Sequence, residues 1–219
     1  MKRLRVIVAL GISLVGILTG CSSSSEETTS ASTTVVNEPR QVSIEEVKIA
    51  TKSIDVYVDE FEGWTEISPK MMNFAIGERP LDRETLDLIG VSLSIVSDNA
   101  GDNWKAGLTT AYFNKDWLFH NTFNLKSSKG VLNLTLDIRN RDEVVNDGYV
   151  SETNTFYPPP EDVLKYCTIV NGDDIKIRLR GPGGPVYEVV RDMPLNIAQS
   201  QRDMCTVYFG LKQGIKLQK

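Results

Sequence analysis

Histidine is almost absent from this chain, which has one His among 219 residues. Transition metals are usually bound by several His or Cys side chains, and acid–base catalysis near neutral pH most often uses His. With one His and three Cys, we expect no metal, no other cofactor and no enzymatic activity. An excess of basic residues is also missing, because 24 Lys and Arg stand against 29 Asp and Glu, a net charge of -5. We therefore expect no nucleic-acid partner, since such proteins need a basic surface.

The sequence also lacks an apolar run long enough to span a bilayer, which takes about 20 residues. Its most apolar stretch, residues 6–18, is shorter and follows the basic residues Lys2, Arg3 and Arg5. A basic start followed by a short apolar core is typical of an export signal peptide.

The apolar stretch ends in Leu18-Thr19-Gly20-Cys21. This motif resembles the lipobox of bacterial lipoproteins. The resemblance implies that residues 1–20 are a lipoprotein signal peptide and that Cys21 becomes the acylated N-terminus of the mature protein. The partner of Cys21 is then the lipid bilayer, in the cell membrane or the outer membrane, with the rest of the chain outside the cytoplasm. The alternative is an ordinary secretory signal that happens to contain a Cys.

Residues 21–40 are rich in Ser and Thr and contain no aromatic residue. Such a segment buries too little apolar surface to offset the entropy of ordering, so we expect a flexible tether. Removal of residues 1–20 leaves 21 basic and 29 acidic side chains, a net charge of -8. The mature chain then depends on its acyl groups, and not on anionic lipid headgroups, for anchoring.

Residues 41–219 are predicted to form one β-rich globular domain. Apolar and polar residues alternate over 89–95, 132–138 and 175–179, and aromatic residues alternate over 117–125. This period of two predicts strands with one buried face. Weaker patterns predict further strands at 44–50, 54–58, 106–113 and 186–190. Short strands separated by turn-forming residues favour an antiparallel sheet or sandwich.

Two segments near the C-terminus have helical spacing instead. Pro160, Glu161 and Asp162 open the first, as expected for a helix N-terminus, and the second covers about 195–212. The predicted fold class is therefore α+β, a mostly antiparallel sheet with one or two C-terminal helices. A pure β-sandwich is the alternative.

The order of these elements resembles that of small cell-surface lipoproteins known mainly from Gram-positive bacteria. The motifs that carry the resemblance are Asp116-Trp117-Leu118-Phe119, which opens the aromatic segment, and Ile175-Lys-Ile-Arg-Leu-Arg-Gly181 before the last helix. The similar region covers about residues 86–212. It implies a surface location and supplies no catalytic residues.

Cys167 and Cys205 are the only cysteines left once Cys21 is acylated. Both fall on the apolar faces of predicted helices, and an exported protein meets conditions in which disulfides persist. We expect a disulfide between them. Two buried free thiols are the alternative.

The one histidine, His120, is predicted to face solvent on the aromatic strand. No Gly-x-Ser-x-Gly motif accompanies it, so no Ser-His-Asp triad is expected. The loop from Asp98 to Asn103 offers oxygen ligands but lacks the pattern of a calcium loop. We interpret it as a polar turn.

Two groups of residues are candidate binding surfaces: the basic residues of one strand face, and aromatic residues on which a ligand could stack. The first group is Lys176, Arg178 and Arg180, and the second is Trp64, Trp104 and the stretch Tyr157-Pro-Pro-Pro160. The functional hypothesis is a non-enzymatic binding or interaction module of the cell envelope, with a protein or glycan partner. An envelope-assembly factor, an inhibitor or a phage-exclusion lipoprotein is an alternative. A carboxylate-based envelope hydrolase using Asp98, Asp102, Asp116 or Asp137 is a further alternative.

Overall fold

The computed structural model describes residues 39–60, 62–70, 88–97, 103–146, 148–184 and 187–217. These residues belong to one compact unit. The predicted signal peptide, the predicted acylation site Cys21 and nearly all of the predicted tether lie outside them, as does most of the Asp98–Asn103 loop.

The described chain forms ten strands and three α-helices. The strands are β1 (Ile54–Asp59), β2 (Trp64–Pro69), β3 (Leu88–Ser97), β4 (Trp104–Asn114), β5 (Thr122–Ser127), β6 (Gly130–Thr135), β7 (Arg141–Asn146), β8 (Tyr149–Phe156), β9 (Lys176–Arg180) and β10 (Glu188–Asp192). The helices are α1 (Ile44–Ala50), α2 (Pro160–Val170) and α3 (Leu195–Lys212). Short 3-10 helices follow α1 and precede β7.

The strands form two sheets in which every neighbouring pair is antiparallel. One sheet has six strands in the order β1-β2-β3-β4-β8-β7, and the other has four in the order β10-β9-β5-β6. With α2 and α3 following most of the strands, the α+β prediction is confirmed. None of the helices in the described ranges has the length and apolar character needed to cross a membrane.

The core lies where the helices pack against the sheets. Helix α3 contacts β2, β3 and β4, helix α2 contacts β5 and β6, and the two helices contact each other. The predicted strand 89–95 supplies Ile89, Leu93 and Ile95, which are fully buried, and the predicted strand 175–179 supplies Ile177 and Leu179. Alternation therefore identified the inner faces of both sheets correctly.

A buried glutamine joins the helices to the sheet. The Oε1 atom of Gln201 in α3 accepts hydrogen bonds from the Leu93 N–H at 2.8 Å and from the Tyr166 hydroxyl at 2.9 Å. Because a buried polar group is costly without partners, these two bonds set the positions of α2, α3 and β3 relative to one another.

The prediction of a strand at residues 44–50 is wrong, because this segment is helix α1. Ser43 and Glu46 form a capping box, in which each side chain accepts from the other residue's backbone N–H. Val47 and Ala50, three residues apart, are buried on one helical face. The capping box and this spacing of three favour a helix over the alternation that suggested a strand.

Helix α1 packs closely on the C-terminal part of α3. A Cβ atom on Gly210 would lie 2.5 Å from Val47 Cγ2, so the close approach requires glycine. The Gln213 side chain accepts from the Val42 N–H and donates to the Arg40 carbonyl. The first described residues are thereby fastened to the last turn of α3.

The prediction of one aromatic strand over residues 117–125 is correct only in part. Strand β5 begins at Thr122, and residues 117–121 form an irregular segment in which Phe119 has a φ of 52°. The alternation in this segment reflects packing by individual side chains and not a continuous strand.

A disulfide joins Cys167 of α2 to Cys205 of α3, as predicted. The two residues are 38 apart in sequence, and the closed loop contains β9 and β10. Both cysteines are buried.

Removal of this disulfide is expected to lower the free energy of unfolding by about 4 kcal/mol, the loop-entropy value for a closure of this length. We would compare urea unfolding of the wild type with that of the Cys167→Ala/Cys205→Ala variant. Wild type treated with a reductant serves as the second measurement. Equal unfolding midpoints and slopes in all three samples would contradict the prediction.

Candidate functional site

The main cavity of the described residues is a groove on the outer face of the six-stranded sheet, the face turned away from α3. Its volume is about 660 Å³, within the usual range of ligand pockets. We call it the outer groove. It is lined by Trp64, Glu66, Ser94, Val96, Ser97, Asn103, Lys105, Thr109, Thr153, Thr155 and Tyr157.

Strand register brings the lining residues together in rows across the sheet. Val96 of β3 pairs with Glu66 of β2 on one side and with Lys105 of β4 on the other. Four residues further along β4, Thr109 pairs with Thr155 of β8. Because side chains of paired residues point to the same face, each row places its polar groups in the groove.

Gly107 allows an aromatic ring to lie over the sheet. A Cβ atom at this position would lie 3.2 Å from Tyr157 Cε1 and 3.0 Å from Ser94 Oγ. The Tyr157 ring therefore covers Gly107 beside Ser94, and it remains exposed to solvent. A larger residue at 107 would displace the ring from the groove.

The groove combines hydroxyl groups with two separate charges. The Thr109 and Thr155 hydroxyls lie 2.9 Å apart, and the Ser94 hydroxyl donates weakly to the Gly107 carbonyl at 3.4 Å. Glu66 and Lys105 are two strands apart, about 10 Å between Cα atoms. Neither forms an ion pair with another residue in the described ranges. The groove thus offers one carboxylate and one ammonium group to a ligand.

The two tryptophans predicted as binding residues lie on different faces. Trp64 lines the outer groove, and its ring packs against Tyr57 at 5.4 Å between centroids. Trp104 is on the opposite face of its strand, partly buried against the hydrophobic core. Only Trp64 is placed where a ligand in the outer groove can reach it.

The predicted basic strand face lies on β9 of the four-stranded sheet, and its side chains form ion pairs and hydrogen bonds with neighbouring residues. The Lys176 Nζ atom is 2.9 Å from Asp192 Oδ1, and Arg180 Nη2 is 2.7 Å from Glu188 Oε2. Arg178 donates to Asn124 Oδ1 at 2.7 Å. The hydrogen bond that Lys176 donates to Asp192 raises the pKa of Lys176. These acids balance most of the positive charge expected from the sequence.

The prediction that His120 faces solvent is wrong, because its side chain is fully buried. The Nδ1 atom lies 3.0 Å from Glu152 Oε2, and Nε2 lies 3.0 Å from the Thr110 hydroxyl. A carboxylate only accepts hydrogen bonds, so Nδ1 carries a proton. The irregular path of residues 117–121 turns the ring inward, in contrast to the strand alternation assumed from the sequence.

Glu152 is itself enclosed by backbone donors. Its Oε1 accepts from the N–H groups of Leu118 and Phe119, at 2.7 and 2.8 Å, and Oε2 accepts from the His120 N–H at 3.0 Å. The left-handed conformation of Phe119 lets the three successive N–H groups converge on one carboxylate. Burial raises the pKa of Glu152, but the bonds from His120 and from the backbone lower it by more, to below 4.5.

The Thr110–His120–Glu152 chain has the connectivity of a catalytic triad: hydroxyl, imidazole and carboxylate in line. All three side chains are fully buried, and Thr110 belongs to the inner face, opposite the groove residue Thr109. A substrate has no path to the Thr110 hydroxyl in this structure. These hydrogen bonds therefore hold residues 118–120 against strands β4 and β8.

Of the four acids considered for a hydrolase, the structure describes Asp116 and Asp137. Asp98 and Asp102 lie outside the described residues, and Asp116 is exposed in the loop after β4. Asp137 binds Arg139, and these hydrogen bonds lower its pKa to about 2. In the part of the chain that the structure describes, no three His, Cys, Asp or Glu side chains are grouped to hold a metal ion.

The comparisons with known proteins supply no relative from which a function could be transferred. No protein-family model, no curated protein and no solved structure matches this chain. The candidate site accordingly depends on the geometry of the outer groove.

The buried network predicts how stability depends on pH. Because the pKa of Glu152 is lowered by folding, its ionised form stabilises the native state at neutral pH, and this contribution is lost as the pH falls below 4.5 through the lower native pKa. We expect Glu152→Gln to lower the free energy of unfolding by about 3 kcal/mol at pH 7. The difference from wild type should shrink as the pH falls below the pKa of an unfolded glutamate, and it should be smallest below the lower native pKa of Glu152, where the side chain is neutral in both states.

Urea unfolding of both proteins between pH 7 and pH 3 measures this difference. Glu60→Gln, which changes an exposed glutamate, is the control and should follow the wild type at every pH. A difference between Glu152→Gln and wild type that stays constant over this range would refute the assignment.

Proposed function

We propose that this protein is a lipid-anchored, exported bacterial lipoprotein that acts as a non-enzymatic binding module of the cell envelope. Its ligand site is the outer groove, and its ligand is a component of the envelope. The groove carries the proposal because it gathers rings, hydroxyls and two uncommitted charges on one accessible surface.

The anchor is supported by the order of Lys2, Arg3 and Arg5, the apolar stretch 6–18 and Cys21. Helix α1 begins at Ile44, which leaves more than twenty residues between the acylated Cys21 and the first helix. As a flexible coil of this composition, the segment spans on the order of 25 Å. A domain on such a tether reaches ligands that are not part of the bilayer.

The burial, the hydrogen bonds and the pKa values of the acids and of the single histidine agree better with a binding role than with hydrolysis. His120 and Glu152 are buried and mutually bonded, and the Asp137 carboxylate is held by Arg139. A general acid needs a raised pKa to donate a proton near neutral pH, whereas the pKa of Asp137 is about 2.

The ligand site is tested by photo-crosslinking in living cells. A photoreactive residue would replace Lys105, an exposed residue of the groove, in the full-length chain. The matched control replaces Lys126, an exposed strand lysine that pairs with Lys176 beside the basic strand face. We expect one discrete adduct with an envelope component from position 105 and none from position 126.

An adduct formed only at position 126 would move the site to the basic strand face. The absence of any adduct at position 105 would reject the outer groove as the ligand site.

The anchor is tested by Cys21→Ser. Loss of the acylated thiol removes the contribution of the acyl chains to the free energy of membrane binding, which is about 0.8 kcal/mol for each buried methylene group. We expect the wild type to be found in the membrane fraction. We expect the Cys21→Ser protein to lack the lipid modification, which is measured by mass spectrometry of the intact protein. A wild-type mass without added acyl chains would contradict the lipoprotein assignment.

A further inference from the structure

The chemical character of the outer groove restricts what it can bind. Five of its described residues, Ser94, Ser97, Thr109, Thr153 and Thr155, carry small hydroxyl side chains on neighbouring strands. A hydroxyl both donates and accepts, so this surface complements a ligand that is itself rich in hydroxyl groups. Among the described lining residues, Val96 is the only aliphatic side chain.

Aromatic rings border the hydroxyl surface at two places. Trp64 lies at the β2 end and is supported by Tyr57. Tyr157 follows the end of β8 and covers Gly107. Rings of Trp and Tyr offer a flat apolar face together with a polar edge, which suits a ligand with alternating C–H faces and hydroxyl edges. Pyranose rings have this pattern.

Among the described lining residues the charge is balanced, with one carboxylate at Glu66 and one ammonium group at Lys105. Recognition of a polyanion usually uses several cations or a cluster of backbone N–H groups. A single lysine opposite a glutamate favours a neutral ligand instead. Both charged groups can hydrogen-bond hydroxyls, Glu66 as an acceptor and Lys105 as a donor.

The length of the groove indicates the size of the ligand. It crosses from β2 through β3 and β4 to β8, three strand intervals or about 14 Å. That distance is spanned by a di- or trisaccharide lying across the strands. The two aromatic borders then contact different sugar units.

We propose that the outer groove binds a neutral oligosaccharide of two or three pyranose units, with Trp64 and Tyr157 as stacking platforms and the Ser and Thr hydroxyls as hydrogen-bond partners. This inference rests on the proposed function, since it names the ligand class of the same groove. Glycan strands of the envelope and free oligosaccharides share this chemistry.

The test uses the full-length acylated protein in a detergent without a sugar headgroup. Tri-N-acetylchitotriose, cellotriose and maltotriose are the neutral probes, trigalacturonate is the anionic probe, and binding is measured by isothermal titration calorimetry. Tyr157→Ala removes one stacking ring, and Thr155→Val removes one hydroxyl while keeping the side-chain shape. The matched controls are Tyr187→Ala and Thr135→Val, an exposed tyrosine and an exposed strand threonine outside the groove.

We expect at least one neutral trisaccharide to bind more tightly than trigalacturonate. Tyr157→Ala should weaken this binding about three- to tenfold, and Thr155→Val about two- to tenfold. The two control variants should match the wild type. Urea unfolding confirms that each variant is folded.

The proposal is overturned if no neutral trisaccharide binds at about 10 mM, or if binding is unchanged in both groove variants. Tighter binding of trigalacturonate would overturn it as well. Photo-crosslinking at position 105 separates this failure from failure of the proposed function. A discrete adduct there without trisaccharide binding leaves the binding module in place with another ligand class, whereas the loss of both results rejects the two proposals together.

Discussion

The buried carboxylate of Glu152 is the contact on which the arrangement of the two sheets depends. Glu152 belongs to β8 of the six-stranded sheet, and the three N–H groups that it binds belong to the segment that leads into β5 of the other sheet. Burial of a charge is costly unless its hydrogen bonds are complete, and here three backbone donors and the His120 ring complete them. Since β5 lies between β9 and β6, placing its entry also places both neighbours. A single side chain thus couples the two sheets.

The six-stranded sheet uses its two faces differently, and the outer groove results from this division. On the inner face, Leu93, Ile95 and Leu108 are fully buried, while the alternate residues Ser94, Lys105 and Thr109 line the groove. Inner positions that contact α3 favour apolar side chains, but the outer positions are free of that requirement. Small and hydroxyl side chains there leave room for a ligand, and Gly107 admits the ring of Tyr157. Most of the described groove residues belong to strands, which favours a rigid, largely preformed binding surface.

The sequence predicted the parts of the fold in which one face is apolar and the other polar. Strands β3 and β9, helix α3 and the disulfide followed directly from that pattern. Strand β8 was missed because Glu152 and Asn154 occupy its inner face, and their burial depends on distant partners, the His120 segment and the Asp137 carbonyl. No local pattern reveals such partners. For the same reason His120 was placed at the surface. Of the predicted binding residues, Trp64 and Tyr157 line the groove. Its threonines were not predicted, because threonines in a strand give no signal until the register of β4 and β8 is known.

The fastening of the first described residues to α3 has a mechanical consequence. The Arg40 carbonyl and the Val42 N–H are held by the Gln213 side chain, and Val47 packs over Gly210. Tension applied through the preceding chain loads α1 against α3 in shear, and several contacts must break together for the two to separate. Helix α3 passes the load to α2 through the covalent bond between Cys205 and Cys167. A pull from the N-terminal side is therefore met first by the packing of α1 on α3, before it reaches β1 and the sheet that carries the outer groove.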